Sequence, residues 1–138
     1  KVLKVRLPYT SRLVRGSKRH EMRSRSMAYF KVSPGEWVWF ATPKGAQEGC
    51  TGCAVLGGAY FVGEVGPLKP GVPADEAHWM ELAHTVPESL LSFARSMPPG
   101  YMNGVWGWEF EGAIELQSPV DMADDPNMTM ARFAARGS

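Results

Sequence analysis

Gly16-Ser17-Lys18-Arg19-His20-Glu21-Met22-Arg23 packs three cations, a histidine and one carboxylate into the residues that follow a glycine. Alternation from Glu21 puts Glu21, Arg23 and Arg25 on one face of a strand, because successive strand side chains point to opposite sides. A lysine supplies a mobile point charge, and an arginine supplies a planar fork that fits phosphate or a base edge. Glu21 can hold Lys18 or Arg23 in place, or accept a base amino group. Upstream, Val2, Val5 and Leu7 with charges between them predict a short strand. Pro8 follows it, and Thr10 or Ser11 is placed to cap a helix carrying Leu13 and Val14. Gly16 then falls where a helix C′ residue is expected.

The charge around this stretch is lopsided. Residues 1–44 contain eleven Lys and Arg against Glu21 and Glu36, whereas the rest of the chain has four basic and twelve acidic residues, for an overall +1. A basic N-terminal third suits a phosphate-bearing partner, because each neutralised phosphate releases condensed counterions. The opposing expectation is that the acidic part folds against the basic part and cancels its field.

The 138 residues are the length of one domain, long enough to bury a sizeable core. With 15 Gly and 11 Pro and 44% hydrophobic residues, the chain reads as globular and turn-rich, not disordered, collagenous or coiled-coil. No apolar run approaches the ~20 residues of a membrane helix, so no membrane insertion is expected. The chain opens on Lys1 instead of Met, as a processed or trimmed chain does, and a leader removed before it would leave no trace.

Downstream, Ser33-Pro34-Gly35 is turn chemistry and residues 36–42 form the strongest strand pattern. Residues 43–52 read as a loop. Residues 53–65 are apolar and β-rich, with Gly57-Gly58 marking a bulge, bend or close backbone contact. Pro67, Pro70, Gly71 and Pro73 make a stiff loop. Helical patterning starts near Ala74, and Pro87 ends it or opens a second helix carrying Leu90, Leu91 and Phe93. Residues 104–116 give one or two strands. After Pro119 the pattern stops, so 1–119 is expected to be the folded domain and 120–138 a tail that is disordered or lies on a protein partner. Short strands with two short helices between them predict an α+β protein built on a small mixed sheet or barrel.

With that frame, Gly16–Arg23 reads G-x-K-x-x-E-x-R and resembles the signature of the ASCH-domain family. The flanks resemble it too: Arg6-Leu7-Pro8-Tyr9 before a short helix, the strand at Gly35–Ala41, the apolar strand at Cys53–Val65, and Trp106–Trp108 followed by Pro119. The resemblance spans roughly residues 2–120. It implies a PUA-like mixed β-barrel with short inserted helices, and a cleft lined by the motif's Lys, Glu and Arg that suits RNA or a nucleotide. The residues placed in that nucleic-acid-binding role are Lys18, Arg19, Arg23, Arg25, Arg12 and Tyr9. Tyr9, Trp37 and Trp39 are candidates for base stacking, although one of the two tryptophans is expected to face inward.

Some members of the family are hydrolases. If this chain is one, Lys18 and Glu21 are its catalytic residues, acting on single-stranded RNA or a modified nucleoside. The amidohydrolase branch uses a threonine three residues after the motif lysine, and Glu21 stands there instead, with Glu76 and Glu81 in the region of a remote carboxylate. The chain also departs at Leu7, where the family's glutamine would offer an amide to a ligand. A third possibility is a structural subunit of a ribonucleoprotein or other large assembly. No cofactor or metal is called for: Cys50-x-x-Cys53 is half of a zinc pattern, His78 and His84 are six apart, and two free thiols are expected. The expected location is intracellular, in the cytoplasm or an organelle such as the mitochondrion.

Overall fold

The computed structural model describes residues 1–82 and 88–125. Its strands are β1 (Val2–Lys4), β2 (His20–Arg23), β3 (Trp37–Ala41), β4 (Ala54–Leu68) and β5 (Val105–Asp121), and its helices α1 (Tyr9–Val14), α2 (Pro73–Leu82) and α3 (Leu90–Ser96). Two single-turn 3-10 helices cover Met27–Phe30 and Pro99–Asn103. The strands form one mixed sheet in the order β1-β3-β4-β5-β2, with β1 parallel to β3 and the β3–β4 and β2–β5 pairs antiparallel. The expected α+β class and mixed sheet are present. The expected barrel is not closed by hydrogen bonds: β1 and β2 stand at opposite ends of the order, and strands of three and four residues offer few ladder groups with which to close it.

The chain divides into two compact units. The first comprises Lys1–Arg19, Pro34–Phe61 and the chain from Phe110 onward; the second comprises His20–Ser33 and Val62–Glu109. In the first, Val38 and Phe40 of β3 turn one face inward, with Phe40 edge-on to Phe110 at 4.9 Å. Trp37 and Trp39 share the opposite face and both are half-buried, with Trp39 packing on the small core of Ala41, Val55 and Leu116. Trp37 instead lies between Trp39 and Tyr60, at 5.4 and 4.9 Å between ring centroids, and covers Gly58. A Cβ at Gly58 would come within 2.6 Å of the Trp37 ring.

Also in the first unit, Val5 is buried as its place in the expected strand implies, while Leu3 takes the inward position instead of Val2, and Leu7, beyond the end of β1, is exposed. Thr10 does not cap α1. Its hydroxyl donates to the Val5 carbonyl, and Pro8 stands at the N-cap without a side-chain bond. β5 runs unbroken through Pro119 to Asp121, and Val120 and Met122 pack on Ala41, Val55 and Leu116.

The second unit has its own core of Leu68, Trp79, Leu90, Ala94, Tyr101 and Val105. Burying these aromatic and branched side chains is its main stabilising term, at roughly 25 cal/mol per Å² of apolar surface. Trp79 satisfies its indole N–H on the Glu88 carbonyl at 2.9 Å. Glu76, weighed above as a remote catalytic carboxylate, is taken up structurally. It accepts the backbone N–H groups of Leu90, Leu91 and Gly71 at 2.9–3.0 Å, tying α2 to the first turn of α3. Pro67 belongs to β4, not to a loop, and α3 starts at Leu90 with the Ser89 hydroxyl as its cap. Pro87 and residues 126–138 of the expected tail lie outside the described residues. No described helix is long and apolar enough to cross a membrane.

Candidate nucleic-acid interface

The motif crosses from one unit to the other after Arg19, and its two halves are built differently. In the first unit, α1 ends at Val14 with Arg15 as its C-cap, and Gly16 takes a left-handed φ of 76°, which a side chain would resist. The chain therefore reverses, and the Lys18 N–H donates to the Arg12 carbonyl at 3.1 Å. That turn brings the Lys18 ammonium to 5.6 Å from the centroid of the Tyr9 ring, while the Arg12 guanidinium lies 5.5 Å from it. Tyr9 is 41% exposed. Arg12 has no carboxylate partner among the described residues. Beside this group lies a cavity of about 350 Å³, with Leu13, Phe110 and Ala113 in its wall and Lys18, Arg19 and Glu111 supplying charge.

The opposing charge expectation holds at Arg15 and Arg19. Arg19 pairs with Glu111 at 2.7 Å and Arg15 with Glu115 at 3.0 Å, so β5 neutralises part of the basic segment. Both members of the Arg19 pair are more than half exposed, and exposed pairs contribute little and exchange readily for another anion.

In the second unit, Glu21 is buried and accepts two bonds from Arg23, Nε at 2.9 Å and Nη2 at 2.8 Å, both on one carboxylate oxygen. The strand alternation that put these residues on one face is thus realised as an ion pair. The Arg23 guanidinium lies 5.6 Å from the ring of Trp108, which stands opposite Glu21 in the β2–β5 register. Arg25 is exposed, and its guanidinium sits 4.0 Å from the centroid of Tyr29. Sequence reasoning missed Tyr29 and Phe30; a single 3-10 turn leaves no periodic signal.

A further cluster in the first unit surrounds Asp121, also missed. Its carboxylate accepts the N–H groups of Ala123, Thr51 and Gly52 and the Thr51 hydroxyl, pinning the loop before β4 to the end of β5. These bonds, that from Ala123 foremost, hold the Asp121 carboxyl below the usual carboxylate range despite its partial burial. A depressed folded-state pKa stabilises above the unfolded value and is lost as pH falls through the folded one. Asp121→Asn should therefore lower the melting temperature at pH 7 and flatten the acid limb of the stability curve; an unchanged acid limb would refute the clamp.

Both cysteines are free thiols and half-buried. Burial, with Asp121 and Asp124 adding repulsion, pushes the Cys50 thiol up. Among the described residues, no three His, Cys, Asp or Glu are grouped to hold a metal ion.

No family model and no curated protein matches the chain. Solved structures do. The chain is similar to the crystal structure of the ASCH protein of Zymomonas mobilis at 15% identity and a TM-score of 0.64, covering 99% of this chain and 82% of that one. Two variants of that protein give the same picture: a serine-to-alanine form at TM-score 0.60 and 15% identity, covering 99% and 83%, and a tyrosine-to-phenylalanine form at 0.61 and 14%, covering 96% and 82%. At this identity the likeness speaks to the fold, and together with the G-x-K-x-x-E-x-R turn and strand it leads to one conclusion: the chain has an ASCH-domain fold.

Proposed function

We propose that the chain is an ASCH-type module that binds single-stranded RNA or a nucleotide, with the Tyr9–Arg12–Lys18 group as its principal contact. The observation that carries this reading is the placement of two cations against one exposed aromatic ring beside a cavity in the first unit. Cations engage phosphate and the ring offers a face to a base, the pairing that single-strand recognition uses. Arg19 contributes by exchanging Glu111 for phosphate. Arg23 is assigned to holding Glu21, which leaves it a smaller part in binding than its place in the motif suggests.

The test is titration of a short fluorescent single-stranded RNA with wild type and with Lys18→Ala plus Arg12→Ala. One lost charge-assisted contact corresponds to about tenfold in affinity, and the double variant should lose at least that while keeping its melting temperature. Running the recovered RNA on a gel separates binding from hydrolysis. Cleavage abolished by Lys18→Ala would move the assignment to a hydrolase, and equal affinity of the two proteins would remove this group from the interface.

A further inference from the structure

We propose that the Arg25–Tyr29–Phe30 surface of the second unit is a separate stacking site for one unpaired base of single-stranded RNA. The inference rests on the RNA-binding reading but on different residues. Tyr29 is 62% exposed and Phe30 38%, an unusual outlay of aromatic surface on one short turn. Charge surrounds it: Arg25 stacks on Tyr29, and Lys31 is exposed. Arg25 has no carboxylate partner among the described residues. The neighbouring Glu64 is occupied, accepting from the Ser26 hydroxyl and the Met27 N–H. The surface therefore favours an anionic, π-faced ligand over an apolar one.

The turn is also preorganised. Met27 is 1% exposed and anchors it from below. Glu64 and the Ser26 hydroxyl, which accepts the Ala28 N–H at 3.1 Å, fix its start. The Trp108 indole donates to the Arg25 carbonyl at 2.9 Å, and Phe30 rests edge-on against Trp108 at 5.5 Å. Tyr29 meets Phe30 edge-on at 5.2 Å. Rings held this way lose little freedom when a base stacks on them.

The test titrates fluorescein-labelled oligouridine into wild type, Tyr29→Ala, Tyr29→Phe and Arg25→Ala. Losing one base–aromatic stack weakens binding by roughly tenfold. Tyr29→Ala should show that loss with an unchanged salt slope, because no charge is removed; Arg25→Ala should weaken binding and make the slope shallower; Tyr29→Phe should bind as wild type. If Tyr29→Ala unfolds, Tyr29→Ser and photocrosslinking of a 4-thiouridine oligonucleotide to residues 25–31 take its place. Wild-type affinity in Tyr29→Ala, with Lys18→Ala still impaired, overturns this site and leaves the principal reading intact. Failure of wild type to bind overturns both. A Tyr29→Ala effect on self-association with RNA affinity unchanged assigns the surface to protein and overturns the inference.

Discussion

Gly57→Ala should not yield a stably folded protein. An added Cβ would stand 2.0 Å from the Ile114 carbonyl oxygen and 2.9 Å from the Val14 side chain, all within the first unit. Backbone oxygen cannot move aside as a side-chain tip can, so β4 would have to draw back from Ile114 of β5 and Val14 of α1. The cost belongs with the exceptional substitutions, above about 4 kcal/mol, a large part of a domain's total stability. Gly63→Ala is the matched control, since nothing lies within 4 Å of its added Cβ. Thermal melts of both variants decide it: Gly63→Ala should melt close to wild type, and a Gly57→Ala protein that does the same would contradict the close packing described here.

Arg23→Ala should destabilise by roughly 3 kcal/mol, through what it leaves behind. Glu21 is 7% exposed, and Arg23 reaches its Oε2 through both Nε and Nη2. Truncating the arginine takes the bidentate cation from a buried carboxylate and from the Trp108 face. Because a buried pair is costly to break but nearly neutral to replace whole, Glu21→Leu with Arg23→Met should cost less than Arg23→Ala alone. Chemical denaturation of wild type and the two variants reads this directly, and a double variant that loses as much as Arg23→Ala or more would contradict it. This is also why Arg23→Ala is a poor probe of RNA contact: lost binding would be confounded with lost fold.

What could be read from the sequence was what periodicity and glycine chemistry encode. Residues 36–42 predict β3 because bulky β-formers alternate there, and α2 begins within one residue of its expected start at Ala74. Gly57-Gly58 announced close contact because only a missing Cβ admits Ile114 and Trp37. The turn at Gly16 was legible for a different glycine property, the left-handed φ that a helix C′ position takes.

Partnerships set by the tertiary structure were not legible. Nothing local distinguishes Thr10 as a helix cap from Thr10 as a donor to Val5, or tells which arginines find Glu111 and Glu115. Trp37 and Trp39 share a face by their spacing, but what covers that face, Tyr60 and Gly58 at Trp37 and the cluster of Ala41, Val55 and Leu116 at Trp39, depends on strand pairing. Pro67 reads as a loop residue by composition, yet β4 carries it through to Leu68. Asp121 was hidden because its partners, Thr51 and Gly52, lie about 70 residues away.

The most direct test of the account is the salt dependence of wild-type binding to single-stranded RNA, followed from low to physiological ionic strength. The account predicts measurable binding at low salt and a linear fall of log affinity with log salt. Each neutralised phosphate adds about 0.7 to the slope for a single strand, so removing Arg12 and Lys18 together should make it shallower by about 1.4. A folded protein that does not bind RNA at low salt, or whose affinity is indifferent to salt, would contradict it.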